Sequence, residues 1–181
     1  MKRYWKAALK DNLNKFLIDS NSLITPFLNY YTFDFAPKFW KQIELYLKEE
    51  TVVIMDVVYN EILKGEDELS DWLKLNLEEK LKCNNLKIIE NYSNVLNYIN
   101  QNDCYMHSKS LSYWAPKEIA DSWLIAAGKA YNYTVVTFEK GYKQLSPKQP
   151  IKKPKIPDVC EEFGVSCISL FDMMRKLSIK L

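Results

Sequence analysis

Histidine is nearly missing from this sequence, since His107 is the single one among 181 residues. The four cysteines form no Cys-x-x-Cys pair and have no neighbouring histidine at ligand spacing. A structural zinc site is therefore not expected, and neither is general-base chemistry by histidine. We interpret the cysteines as small buried or half-buried thiols in a reducing cytoplasm. We interpret His107, which lies in a polar segment, as an ordinary surface residue.

Long apolar runs and a strong excess of charge of one sign are also missing. No apolar run approaches the about 20 residues that cross a bilayer. The opening MKRYWKAALKDNLNK has no continuous apolar region of the kind found in signal peptides. We therefore expect a cytoplasmic protein with no membrane partner. The net charge of +2 gives no argument for nucleic-acid binding from overall charge, so such an argument needs local clustering.

The composition that is present, 48% apolar and 27% charged residues, is typical of a globular domain. We expect residues 1–15 to form an N-terminal extension and residues 16–181 to form a single domain. Short β-type runs alternate with longer helical patterns, which predicts an α/β fold with a mainly parallel sheet. The predicted strands are FLID (16–19), TVVIM (51–55), LKIIE (86–90), TVVTFE (134–139) and VSCIS (165–169). The predicted helices cover residues 37–49, 56–65, 66–80, 115–132 and 157–164, and one more closes the chain.

Acidic residues at the ends of the first and the fourth of these strands are of interest. Asp19 ends the first strand, and Glu139 ends the fourth. Ligands of an open parallel sheet bind beyond the carboxyl ends of its strands, so both side chains are candidates for a binding site. The simpler interpretations are that Asp19 forms a turn or caps the next helix, and that Glu139 is a solvated loop residue.

Two further acids fall on helix faces that should be buried. Glu61 comes four residues after Val57 and three after Val58, on the apolar stripe of its helix. Asp121 lies early in a helix that is rich in apolar and small residues. A buried carboxylate without a partner is costly. The alternatives are a glutamate that reaches solvent from the edge of the stripe and an aspartate stabilised by the amides of a helix N-terminus.

Taken together, these four acids predict a metal site. Clustered carboxylates repel one another, and at least one would keep its proton at neutral pH unless a cation lay among them. Oxygen ligands without histidine or thiolate select Mg²⁺ or Mn²⁺ over zinc. One or two such ions can activate water and stabilise a leaving oxygen, which is chemistry that suits phosphodiester hydrolysis.

The ordered motifs resemble those of the PIN-domain nuclease superfamily. Asp19 begins the D-x-N sequence, here DSN, that ends the first strand of that superfamily. VVYNEIL places Glu61 in a short helix after the second strand, and IADSWLIAAG places Asp121 in a later helix that leads into TVVTFE. The resemblance covers residues 16 to about 170. It is closer still to a bacterial PIN subfamily of unassigned function, which shares YYTFDFAPKFW, GEDELSDW and KIPDVCEEFGV.

The resemblance implies a three-layer α/β/α sandwich with a mainly parallel, doubly wound sheet. It implies endoribonuclease activity that depends on Mg²⁺ or Mn²⁺ and hydrolyses RNA phosphodiester bonds. A role as the toxin of a toxin–antitoxin pair is implied as well, with a cognate antitoxin protein as partner.

The resemblance also implies roles for individual residues. Asp19 and Asp121 would bind the main metal ion directly, and Glu61 would bind it or orient its water. Asn21 would hydrogen-bond Asp19 or a bound water and so fix the strand tip. Thr137 would contact a carboxylate or the scissile phosphate.

The fourth acid departs from the pattern of the superfamily. Many members have an aspartate in a T-x-D sequence after the VVT strand, where this chain reads Thr137-Phe138-Glu139. Either Glu139 takes this place or Asp158 supplies the ligand from the following helix, and the residue that does so would hold a second, weaker ion. Asp158 directly follows a proline and could instead be a plain helix-start acid.

A lysine-rich segment, residues 140–157, lies between the two candidates for the fourth acid. Its prolines keep it extended, so Lys152, Lys153 and Lys155 can follow a phosphate backbone, and Tyr142 can stack on a base. The alternative is a solvated basic loop.

Aromatic residues are concentrated in NYYTFDFAPKFW, which contains Phe33, Phe35, Phe39 and Trp40. Such residues are more often core than binding surface. The alternative is a surface for a homodimer or for an antitoxin.

Two other functions fit parts of the pattern. A phosphatase of the haloacid-dehalogenase type also begins with an acid at a strand tip, but it needs Asp-x-Asp, and the second position here is Asn21. The other function is a PIN-like scaffold that binds RNA or a protein and cuts weakly or not at all. The imperfect fourth acid leaves this second alternative open.

Overall fold

The computed structural model describes residues 15–181, so the predicted N-terminal extension lies outside the described residues except for Lys15. Within the described part, four parallel strands form one sheet in the spatial order β2-β1-β3-β4. The strands are β1 (Phe16–Ile18), β2 (Val52–Val53), β3 (Thr134–Val136) and β4 (Cys167–Ile168). Helices flank this sheet, which confirms the predicted α/β/α sandwich.

Nine helices are present between residues 15 and 181. In chain order they are α1 (Asn21–Asn29), α2 (Pro37–Lys48), α3 (Asp56–Leu63), α4 (Glu68–Asn76), α5 (Leu86–Gln101), α6 (Ser108–Trp114), α7 (Ala120–Tyr131), α8 (Ile156–Glu162) and α9 (Leu170–Lys176). None of them, in the part of the chain described, is both long enough and apolar enough to cross a membrane.

The chain changes direction across the sheet between β1 and β3. It leaves β1 to form β2 on one side, and then crosses back to form β3 on the other side of β1. Ile18 pairs with Val136, so the residues that follow them, Asp19 and Thr137, stand side by side at the carboxyl edge. In open parallel sheets such a switch point forms the crevice in which ligands bind.

The central strands are apolar because both of their faces are covered. Every residue of β1 and β3 is buried, and α7 is buried along its length from Trp123 to Gly128. Gly128 permits this close packing, since a Cβ there would lie 2.7 Å from Val165 Cγ1 and 3.2 Å from Val135 Cγ2. Asn132, in the left-handed conformation, then ends α7 and turns the chain into β3.

Most of the aromatic stretch belongs to the core. Phe39 and Trp40 are buried, and the ring of Phe33 lies 4.7 Å from that of Trp40, centroid to centroid. The Trp40 indole N–H donates to the Tyr31 carbonyl oxygen at 2.6 Å. Phe35 differs, because 78% of it is exposed. Tyr30 is 54% exposed as well, and the alternative of a dimer or antitoxin surface stays a prediction.

The prediction of a strand at residues 86–90 was wrong, because this segment forms the first turns of α5. Ile88, Val95 and Ile99 recur at helical spacing and are the buried residues of that helix. The Asn85 side chain caps the helix by accepting from Lys87 N–H at 3.0 Å. A short apolar run does not distinguish a strand from the buried face of a helix.

Helix α1 was not predicted, whereas α3 begins at residue 56, where the predicted helix 56–65 begins. Met55 is the N-cap of α3, whereas Asp56 lies in its first turn. The Asp56 carboxylate instead accepts from the Val57 N–H at 2.9 Å and from the Cys83 thiol at 3.0 Å.

The cysteines and the histidine lie as expected from the sequence. Cys160 is buried, and the other three thiols are half-buried and free. His107 is exposed, and its Nδ1 lies 2.8 Å from the Asn100 carbonyl oxygen.

Candidate active site

Asp19 is fixed at the switch point of the sheet. Its N–H donates to the Val136 carbonyl oxygen at 2.9 Å, which extends the pairing of β1 with β3 by one residue. The side chain is buried, with 2% of the residue exposed. Its Oδ2 accepts from the Thr137 hydroxyl at 2.8 Å, and its Oδ1 lies 3.4 Å from Ser20 Oγ. The carboxylate therefore contacts the residue that follows it in the chain and the residue that follows β3.

Thr137 joins this carboxylate to the loop that follows β3. Its hydroxyl donates to Asp19 and accepts from the Glu139 N–H at 3.1 Å. Its own N–H donates to the Ile168 carbonyl oxygen at 3.1 Å, so the residue is tied to β4 as well. Of the two roles expected for Thr137, contact with a carboxylate is the one that this geometry provides.

Asp121 and Glu61 approach from two helices. Asp121 lies in the first turn of α7, Glu61 lies in α3, and both residues are half-buried. Within residues 15–181 neither carboxylate accepts a hydrogen bond from a side chain or from the backbone. Both side chains are therefore free to turn toward a ligand without breaking a hydrogen bond.

Glu61 and Glu139 both act electrostatically on Asp19 and on Asp121. Burial raises the pKa of Asp19 to about 6; the hydrogen bond from Thr137 opposes this rise, and the charges of Glu61 and Glu139 add to it. Burial raises the pKa of Asp121 to about 7, and the carboxylates of Asp19, Glu139 and Glu61 contribute in that order. Each of the four segments thus brings one acid within electrostatic reach of the others.

Glu139 has partners for both of its oxygens. Its Oε1 lies 2.7 Å from Lys155 Nζ, and its Oε2 accepts from the Ile156 N–H at 2.9 Å. This ion pair raises the pKa of Lys155, and the charge of Lys155 in turn lowers that of Asp121. The lysine is therefore a cation within reach of the acid cluster.

Asp158 has a different structural role. Its oxygens accept from the Tyr142 N–H at 3.0 and 3.2 Å, which anchors the start of the lysine-rich segment. A Cβ at Gly141 would overlap Asp158 Oδ1, so glycine is needed there for this contact. Of the two candidates for the fourth acid, Glu139 is the one that acts on both Asp19 and Asp121.

Asn21 does not make the expected contact with Asp19. It is exposed, it is the first residue of α1, and its side chain has no hydrogen-bond partner among residues 15–181. Ser20 and Thr137 take the place that was predicted for Asn21. The alternative, a hydrogen bond from Asn21 to a bound water, stays a prediction.

The lysine-rich segment is held against the rest of the domain. The Ile151 N–H donates to the Cys104 carbonyl oxygen at 2.8 Å. Lys152 and Lys153 are exposed, and their Nζ atoms lie 5.4 and 5.1 Å from the centroid of the Tyr113 ring. The Tyr142 hydroxyl donates to the Lys153 carbonyl oxygen at 3.0 Å. Tyr113 could not be identified from the sequence, because Lys152 and Lys153 lie about forty positions later in the chain.

A cavity of about 640 Å³ opens beside this site. It lies at the carboxyl ends of β3 and β4, and Thr137, Glu139 and Lys140 contribute to its wall. Solvent and a ligand can therefore reach the edge of the acid cluster.

The chemistry of these donors suits a hard divalent cation. Four carboxylates oppose one lysine, and the two aspartates have raised pKa values that a bound cation would lower. In the arrangement described for residues 15–181, no three acids, cysteines or histidines converge closely enough to hold an ion. For an ion to bind, the side chains of Glu61 and Asp121 would have to turn toward it.

Replacing Asp19 by Asn removes a carboxyl group whose pKa is raised by folding. Its pKa rises from 3.8 to about 6, so its ionisation above that pH opposes folding. We expect Asp19→Asn to be more stable than wild type at about pH 8, by on the order of 3 kcal/mol. The difference should shrink as pH falls through about 6 and vanish below about 4. Urea unfolding across this pH range, with a chelator present, measures it.

Asp71→Asn is the matched control for this experiment. The Asp71 side chain is 75% exposed and lies 2.9 Å from Lys74 Nζ, so its neutralisation should give no gain at any pH. Equal pH profiles for Asp19→Asn and wild type would contradict the raised pKa.

Comparison with known proteins places the chain in a family. The family model of a domain of unknown function (DUF4411) matches residues 16–181. No curated protein and no solved structure matched the chain. Because the match covers nearly the whole sequence, the chain belongs to the DUF4411 family.

Proposed function

We propose that this protein is a PIN-like endoribonuclease that depends on Mg²⁺ or Mn²⁺ and hydrolyses RNA phosphodiester bonds. The observation that carries the proposal is the coupling of four carboxylates from separate segments at the switch point of a parallel sheet. A site with several carboxylate oxygens and few positive charges to balance them favours a hard divalent cation.

Three of the acids would hold the ion. Asp19 is buried, Asp121 is half-buried, and both have raised pKa values. The charge of Glu61 contributes to both of these pKa values. When bound, the ion supplies a Lewis acid that activates water and stabilises the leaving oxygen. Thr137 orients Asp19 through its hydroxyl, and this bond keeps the carboxylate aimed into the site.

Protons and the metal ion compete for the same carboxylates. Near neutral pH and without a cation, Asp19 and Asp121 are partly protonated, because their pKa values are about 6 and about 7. Metal binding requires ionised ligands and so releases these protons. The proposal therefore implies metal affinity that rises with pH through this range.

The lysine-rich segment offers a path for the RNA backbone. Lys152 and Lys153 present two exposed charges beside the Tyr113 ring. They directly precede the part of the segment that reaches Glu139 through Lys155. Two cations beside an aromatic ring suit a single strand with unstacked bases.

Several expectations from the sequence stay predictions. These are the toxin role, the cognate antitoxin, the homodimer and the cytoplasmic location.

The proposed activity predicts cleavage of RNA that requires a divalent ion. Wild-type protein should cut RNA with Mn²⁺ or Mg²⁺ and stop when EDTA is added, and Asp19→Asn should lose more than about 100-fold in rate. Gel analysis of a labelled RNA measures this. Asp71→Asn, which neutralises an exposed acid outside the site, should cut like wild type.

Two results would contradict the nuclease proposal. Cleavage by Asp19→Asn at the wild-type rate would place the reaction elsewhere. RNA binding without cleavage in either metal would favour the PIN-like scaffold that binds but does not cut.

The RNA path is tested by replacing Lys152 and Lys153 together with Ala. In the inactive Asp19→Asn background we expect weaker RNA binding and a fall of about 1 in the slope of log affinity against log salt. Fluorescence anisotropy of a labelled RNA at several salt concentrations measures both quantities.

The control for this variant is Lys129→Ala with Lys176→Ala. Both lysines are exposed and lie in the last turns of α7 and α9, toward the opposite edge of the sheet. This pair should leave binding unchanged. An equal loss of RNA binding in both double variants would show that overall charge causes the effect, which would contradict a defined RNA path.

A further inference from the structure

Lys155 forms an ion pair with Glu139, which is one of the two candidates for the fourth acid. We infer that Lys155 is a built-in cation of this site, which takes the place of a second metal ion at Glu139 and limits the site to one divalent ion. This inference rests on the proposed function in one respect, namely that Asp19, Glu61 and Asp121 bind the first ion.

The bonding of Glu139 is the first argument. Its two oxygens are 2.7 Å from Lys155 Nζ and 2.9 Å from the Ile156 nitrogen. The Glu139 and Lys155 side chains are only 20% and 32% exposed. A hydrogen-bonded ion pair that is partly shielded from water is stronger than an exposed one. A second metal ion would have to displace the ammonium to use Oε1.

The charge balance of the site is the second argument. Lys155 and one divalent ion leave the four ionised carboxylates with a single negative charge in excess. A second divalent ion beside the lysine would make the whole group cationic. Repulsion between that ion, the first ion and the fixed ammonium would then oppose its binding.

The position of Lys155 in the chain is the third argument. Its backbone is extended directly before α8, and the preceding residue, Pro154, is buried. The lysine backbone is therefore anchored on both sides, since Ile156 is buried as well. Lys155 differs in this from Lys152 and Lys153, which are exposed and lie beside Tyr113.

A lysine at this point has a chemical consequence. An ammonium supplies charge and hydrogen bonds, but it offers no coordination position for water or for a phosphate oxygen. Activation of the nucleophile would then be the chemistry that an ion supplies when Asp19, Glu61 and Asp121 hold it. Lys155 is a positioning residue for Glu139 and contributes a fixed positive charge beside the site.

The test is the stoichiometry of Mn²⁺ binding to the full chain without RNA. Titration followed by the electron paramagnetic resonance signal of free Mn²⁺ should give one ion per wild-type chain. Lys155→Met frees Glu139 and removes the fixed charge, so it should bind a second Mn²⁺ or bind the first at least about tenfold more tightly. Lys155→Arg keeps the charge and should retain one ion at wild-type affinity.

A double variant separates charge from structure. Lys155→Met with Glu139→Gln removes both charges of the pair and should return to one ion at close to wild-type affinity. Lys155→Met leaves the Glu139 carboxylate without its partner, which lowers stability, and Glu139→Gln relieves this loss. Urea unfolding of each variant checks this directly.

The outcomes distinguish this inference from the proposed function. Two ions per wild-type chain, or identical titrations of wild type and Lys155→Met, would overturn the role of Lys155 while leaving a metal centre in place. Absence of Mn²⁺ binding in every variant would overturn the metal centre itself, and the inference with it.

Discussion

Repulsion among carboxylates that are partly removed from water is the constraint on which the rest of this site depends. Asp19 and Asp121 both have pKa values near neutrality, because burial and the neighbouring acids disfavour their ionised forms. Two contacts relieve part of this cost, from the Thr137 hydroxyl to Asp19 and from the Lys155 ammonium to Glu139. Such a group of acids is costly to bury, and this cost supports our proposal that a cation binds among them.

The strand register determines which side chains meet there. Ile18 pairs with Val136, so Asp19 and Thr137 are the next residues on two adjacent parallel strands. Phe16, Leu17 and Ile18 are all buried, so a shift of one residue would disturb the packing of every side chain of β1. Packing of the core therefore fixes the geometry of the site, and the helices that carry Glu61 and Asp121 are positioned by the same core.

Several features of the site could be predicted from the sequence because local patterns determine them. Apolar runs that end in an acid located Asp19 and Glu139, and helical spacing located Glu61. Other features depend on contacts between distant segments. Nothing near Lys155 in the sequence indicates that it pairs with an acid sixteen residues earlier. Residues 86–90 were mistaken for a strand for the same reason, since the burial of Ile88 arises from packing that five residues do not reveal.

The central claim is that one small site holds these acids and that a divalent ion belongs among them. The most direct measurement is a pH titration of the carboxyl carbons by ¹³C NMR, with Asp19 and Asp121 assigned through their Asn variants. Without metal we expect pKa values of about 6 for Asp19 and about 7 for Asp121. With Mg²⁺ both should fall well below these values. Two aspartates that titrate near their ordinary value without metal, or whose pKa values do not fall when Mg²⁺ is added, would contradict the account.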